Sequence, residues 1–291
     1  GLEAVALVGL VAFIAIEQRA AEPGIPLRLF RIGNFSLATG LGSVAGFAMF
    51  GGIPFLPQFQ QFVQGQWATN GGLLLMPMML AAMVFSLTSG QIISRTGHYK
   101  TFPILGAGLL TVGLYLFSTM DLHTGSGTTS LYMVVLGAGM GCLMQTTNLI
   151  AQNSVELRDL GAATGASTFV RNLGGSLGVA ILGAIYTHQI TGHLGAAGGS
   201  VSGGSVGSLT PAALRDLPEA VQRLFRSAVV AGTQEIFLWG AAIAVVGFIV
   251  AWFIRQVPLR ESLHEPQQEQ QEQQEQQDEA AASERQFSLE T

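Results

Sequence analysis

The chain has 291 residues, of which 49% are hydrophobic and only 11% charged, less than half the roughly 25% usual in soluble domains, and its mean hydropathy is +0.45. Its net charge of −5 is set by a Gln/Glu-rich tail, since eight of the eighteen acidic residues lie between Glu265 and Glu290. This balance gives no hint of nucleic-acid binding, and a single cysteine, Cys142, excludes an internal disulfide.

Seven apolar runs follow one another, at about 2–16, 35–56, 71–94, 102–120, 131–150, 161–187 and 233–254. The first is short for a hydrocarbon core of ~30 Å and has no basic n-region, so it reads as a cut helix and not as a signal peptide. Residues 1–34 are accordingly expected to be a truncated linker helix with a cytoplasmic connection carrying Pro23 and Pro26. Residues 35–255 are expected to form a six-helix membrane bundle, an all-α fold, within a chain that is the C-terminal part of a longer membrane protein. Residues 256–291, built on a QQE repeat, are too polar for a core and are expected to be disordered.

Lys and Arg set the orientation. Arg19, Arg28, Arg31, Arg95, Lys100, Arg158, Arg255 and Arg260 fall on one side of the membrane and Arg215, Arg223 and Arg226 on the other, which places the first group, and the tail, in the cytoplasm.

The run from Phe35 carries Thr39, Ser43 and Gly46 on one face and enters GGIPFLPQFQQF, where Pro54 and Pro57 predict a break in the helix. Gln58, Gln60 and Gln61 beside Phe55, Phe59 and Phe62 read either as a helix end with its amides in water or as a ligand-contacting mouth, with Phe59 and Gln61 on the path. The next run ends in GQIISRTGHYK. There Gly90 precedes a turn in which Gly97 permits a tight reversal, while Arg95 and Lys100 suit both a helix C-terminus and the cytoplasmic side.

Gly137, Gly141, Gln145, Asn148 and Gln152 recur at helical spacing along 131–150 and just beyond, small residues first and amides after. The run 161–187 holds Arg171 well inside an apolar stretch, and counting from it puts Thr164, Ser167, Thr168, Gly174, Gly175 and Gly178 on its side. Lipid cannot solvate a guanidinium, and glycines allow close helix approach. Arg171, Gln145 and Asn148 are therefore expected to share a polar interior in which an amide oxygen accepts from the guanidinium, or to act as glue between helices. Gly137, Gly141, Gly174 and Gly178 are expected to pack helices.

Between residues 35 and 254 the acids are Asp121, Glu156, Asp159, Asp216, Glu219 and Glu235, all at expected helix ends or in loops. His123, His188 and His193 have no ligand spacing, so no metal is expected, and no phosphate loop, Cys/His cluster or Ser-His-Asp set points to an enzyme or calls for a cofactor. The external loop, 188–232, is expected to contain a Gly/Ser tract and, from Pro218, a short amphipathic helix on the membrane surface or against the bundle mouth.

The stretch 90–100 resembles the second-half copy of the short cytoplasmic loop motif of the major facilitator superfamily. LPQFQQFVQGQWATNGGLLLMP at 56–77, GAGMGCLMQTTNLIAQNSV at 137–155 and GAATGASTFVRNLGGSLGVAILGAIY at 161–186 occur with it in order. Together they look like the C-terminal half of the fourteen-helix drug:proton antiporter branch. The resemblance implies a plasma-membrane multidrug efflux transporter working by alternating access between two six-helix halves. Its partners would be small-molecule substrates, protons, the lipid bilayer and the missing N-terminal half, which would also hold the proton-coupling carboxylate. Two other readings stay open: a specific metabolite or lipid exporter on the same scaffold, and a non-transporting membrane partner subunit.

Overall fold

A computed structural model of the chain describes residues 27–65, 73, 75–196 and 218–257. The expected cut helix at 2–16, the Gly/Ser tract and the Gln/Glu-rich tail lie outside these residues. Contacts divide the chain into a helical unit, Gly1–Gln256, and a second unit, Val257–Thr291, and everything described below belongs to the first.

The described residues form helices and connecting turns, among them α1 (Gly33–Gly52), α2 (Leu56–Phe62), α3 (Met76–Thr96), α4 (Thr101–Ser118), α5 (Ser126–Asn153), α6 (Leu160–Ala196) and α7 (Glu219–Trp252). Counting α1 and α2 as one interrupted helix, six are long and apolar enough to cross a membrane. The interruption falls at the prolines: a 3-10 turn, Ile53–Phe55, separates α1 from α2 because Pro54 and Pro57 cannot donate to the helix ladder. At the opposite end, Gly97 closes α3 in the left-handed conformation at φ 68°, its N–H donating to Ile93 O.

The packing is by helix pairs. α6 lies along α1, and α5 along α3, each pair running parallel; α4 and α7 run antiparallel to each other and close the far side. In both parallel pairs two glycines four residues apart bring one backbone onto the next. A Cβ on Gly137 or Gly141 would run into the carbonyls of Met78 and Ala82 of α3, and one on Gly174 or Gly178 into those of Ser43 and Phe47 of α1. Thr39 and Ser167 add a buried hydroxyl pair at 3.2 Å between α1 and α6.

Of the segment 188–232, the described residues are helical up to Ala196 and from Glu219, with α6 continuing to Ala196 and the amphipathic segment after Pro218 forming one helix with the last span. Phe225, Ala228 and Val229 are buried against the bundle, and Gly232 admits the ring of Tyr186, so the helical register passes into the span without a break.

Candidate functional site

α5 and α6 touch each other only lightly, and both carry unpacked polar residues. On α5, Gln145 and Gln152 are exposed and Asn148 is half-buried. On α6, the row Thr164, Thr168, Asn172, Ser176 is open or half-open, while Ser167, Gly174 and Gly178 are buried against α1. Gln152 joins the two rows by donating from Nε2 to Thr164 Oγ1 at 3.3 Å. An open hollow of about 770 Å³ follows, lined by Gln152, Thr164, Thr168, Phe169 and Asn172 among others.

Each side chain is positioned by a neighbouring glycine or by its own helix. Gln145 lies over α3, where a Cβ on Gly90 would stand 3.3 Å from its Nε2; Gly90 thus makes room for the amide. Arg171 is half-buried, its Cγ against Gly46 of α1, and its guanidinium has no hydrogen-bond partner among the described residues. The expected bond from Arg171 to the Gln145 amide is therefore not made: the two residues lean on different neighbours, α1 and α3. Counting around α6 from Arg171 had merged two faces, one glycine-lined and turned to α1, the other hydroxyl- and amide-lined and open. Asn172 and Ser176 were missed for that reason, although the i, i+4 row from Thr164 contains both.

The residues around the proline break sit differently from the expected mouth. Phe59 is fully buried, so its ring is part of the core, and Gln60 is 3% exposed with Oε1 lacking a hydrogen-bond partner. Gln61 is half-buried and Gln58 exposed. Phe55 packs on Tyr186 at 4.7 Å between ring centroids, and Phe62 on Phe225 at 5.2 Å, which turns α2 onto α6 and α7. A seven-residue helix held by two aromatic contacts turns its apolar side inward, taking Phe59 with it.

At the opposite end, Arg28 donates to Asp159 at 2.6 Å, while Asn34 Nδ2 donates to Arg255 O at 2.8 Å and Asn34 Oδ1 accepts from Arg255 N at 3.1 Å. Tyr99, two residues past Gly97, donates its hydroxyl to the same carbonyl at 3.1 Å. Arg95 is exposed and Lys100 half-buried. Arg28, Arg31, Arg95, Lys100, Arg158 and Arg255 stand at this end among the described residues; Arg223 and Arg226 stand toward the other. No cluster of three or more His, Cys, Asp or Glu that could hold a metal occurs among the described residues.

Six apolar crossing helices around an unpacked polar face define a multi-pass membrane protein. The family model of the major facilitator superfamily matches residues 4–179, and the chain belongs to that superfamily. An uncharacterized transporter of this type from Mycobacterium tuberculosis is 40% identical over 90% of this chain and 38% of its own length. The multidrug transporter protein MdtP of Bacillus subtilis is 29% identical over 92% of this chain and 54% of its own. A tetracycline resistance determinant of Streptomyces rimosus is 28% identical, covering 88% and 82%. The chain thus spans between about a third and a half of the first two relatives. Among solved structures, the fucose:proton symporter FucP of E. coli shares the fold, with a TM-score of 0.61 at 16% identity over 78% of this chain and 50% of that one.

Proposed function

We propose that the chain is the C-terminal six-helix half of a proton-coupled multidrug efflux transporter of the fourteen-helix antiporter branch, located in the plasma membrane with its tail in the cytoplasm. The observation that carries this reading is the polar, unpacked face of α5 and α6. Lipid would leave the Gln145, Asn148 and Asn172 amides without hydrogen-bond partners, so this face is read as turned to the other half and to water between the halves. Arg171 and Gln61 border the same path in this reading, and Gly90, Arg95, Gly97 and Lys100 form the cytoplasmic turn. The excess of cations at the Arg95 end supports the orientation. Relatives named for multidrug transport and tetracycline resistance support the substrate class, and the length of the Mycobacterium tuberculosis and Bacillus subtilis relatives, covered over 38% and 54%, supports a missing half.

The described carboxylates stand at helix ends and turns, apart from Glu235 within α7, so the proton-carrying acid is assigned to the other half. Alternating access then needs both halves around a site near the midplane. The test is efflux of a fluorescent hydrophobic cation from cells or vesicles carrying the full-length transporter. Export should collapse with a protonophore, and Asn172→Leu and Gln145→Leu should each lower it at least several-fold without lowering the amount of protein in the membrane. Export that ignores the proton gradient, or that both variants leave intact, would sink the proposal.

A further inference from the structure

On the opposite side of the bundle, α4 and α7 enclose an apolar hollow of about 530 Å³ whose walls include Val112, Tyr115, Leu238 and Trp239. All four are between 49% and 57% exposed, so the hollow opens outward from the helix pair. A second hollow of about 470 Å³ shares Tyr115 and Leu238 with the first, and its other walls are polar, among them Ser118, Gln189, His193 and Glu235. The two form one groove, oily along the helices and polar at the end where α4 stops. Gln234 fixes that level by donating Nε2 to Met120 O at 2.6 Å.

We propose that this groove holds a phospholipid with a primary ammonium headgroup from the leaflet on the Asp121 side, with its ammonium at Glu235 and an acyl chain between Tyr115 and Trp239. Glu235 carries the argument. It is half-buried, its Oε1 accepts from Trp239 Nε1 at 3.0 Å, and its second oxygen has no hydrogen-bond partner among the described residues. No Lys or Arg is among the residues lining either hollow, the one imidazole there, His193, pairs its Nδ1 with Gln189 O, and Glu235 forms no ion pair among the described residues. An ammonium supplies both the charge and an N–H for the free oxygen, whereas a trimethylammonium has no hydrogen to donate. Tyr115 and Trp239 have the amphipathic shape that settles at the headgroup boundary of a bilayer. The inference rests on the membrane fold and not on the efflux reading.

Native mass spectrometry of the full chain in mild detergent tests it, with phosphatidylethanolamine, phosphatidylcholine and phosphatidylglycerol of identical acyl chains as probes. Phosphatidylethanolamine should be retained several-fold over the other two, and Glu235→Gln should bring it level with phosphatidylcholine while the lipid-free melting temperature stays put. Ala242→Trp, which fills the apolar part away from the carboxylate, should lower retention of every phospholipid tested. Equal retention of ethanolamine and choline lipids, a preference that survives Glu235→Gln, or retention unchanged by Ala242→Trp overturns the proposal. So does Glu235-dependent binding of tetraphenylphosphonium without any of phosphatidylethanolamine, which would give the groove to a transported cation instead.

Discussion

At Gly141 the backbone of α5 comes so close to α3 that a methyl group would overlap the carbonyl of Ala82 and stand 2.9 Å from the amide of Ser86. Neither neighbour is a side chain that can swing aside, so Gly141→Ala must separate the helices. The expected cost is in the overpacking range of about 1–3 kcal/mol, read as a lower melting temperature in detergent. Gly165, on the open face of α6, has nothing within 4 Å of the same hypothetical methyl, and Gly165→Ala should stabilise by roughly 0.5–1 kcal/mol through helix propensity alone. If both substitutions act alike, the close approach of α3 and α5 is wrong. A second residue-scale prediction concerns the turn between α4 and α5. The Thr124 hydroxyl, and after it the His123 backbone N–H, donate to Asp121 and hold its carboxyl below the ordinary value of 3.8. Because the folded value is the depressed one, the turn's gain is complete above 3.8 and lost as pH falls through the folded value. Protection of the His123 amide, taken relative to its intrinsic exchange rate at each pH, should therefore fall as pH drops below 3.8 in the native protein and show no such step in Asp121→Asn.

Helix ends and helix pairs show what patterning can and cannot reveal. The proline break, the Gly97 reversal and the four glycines at 137, 141, 174 and 178 were legible because each has a local cause: a missing N–H, a left-handed backbone, a missing side chain. The fate of Phe59 and the split face of α6 were not, because they depend on which neighbour arrives. Phe59 is drawn inside by contacts from Tyr186 to Phe55 and from Phe225 to Phe62, residues more than a hundred positions away. The clasp at the Arg95 end was equally invisible, since an asparagine at a helix start reads as a cap until residue 255 is seen beside it. Asn34→Ala removes both of its bonds to Arg255 and should cost about 1–2 kcal/mol, with faster proteolysis just beyond α7 as a local readout. Arg28–Asp159 is the weaker tie. Arg28 is 57% exposed, so Asp159→Asn should cost less than about 1 kcal/mol, with the difference shrinking as salt is raised.

For the whole molecule, the two parallel pairs solve one problem twice. In each, the later helix offers glycines four residues apart and the earlier one offers successive carbonyls, Met78 and Ala82 in one pair, Ser43 and Phe47 in the other. α4 and α7 fill in behind them, with Phe117 stacked on Phe237 at 4.9 Å, and leave the amide-bearing sides of α5 and α6 uncovered. The seam between α1 and α6 has a mechanical meaning. The ring of Phe50 rests where Gly175 leaves a vacancy, and the backbone of Phe47 lies where Gly178 leaves another. An axial slip by one turn, about 5.4 Å, would carry both out of their vacancies and bring the Phe47 backbone level with Leu182 and the Phe50 ring level with Val179. The two can tilt together but not ratchet past one another. They form a single strut, and a push applied at the Arg95 end reaches the Asp121 end without being lost to shear.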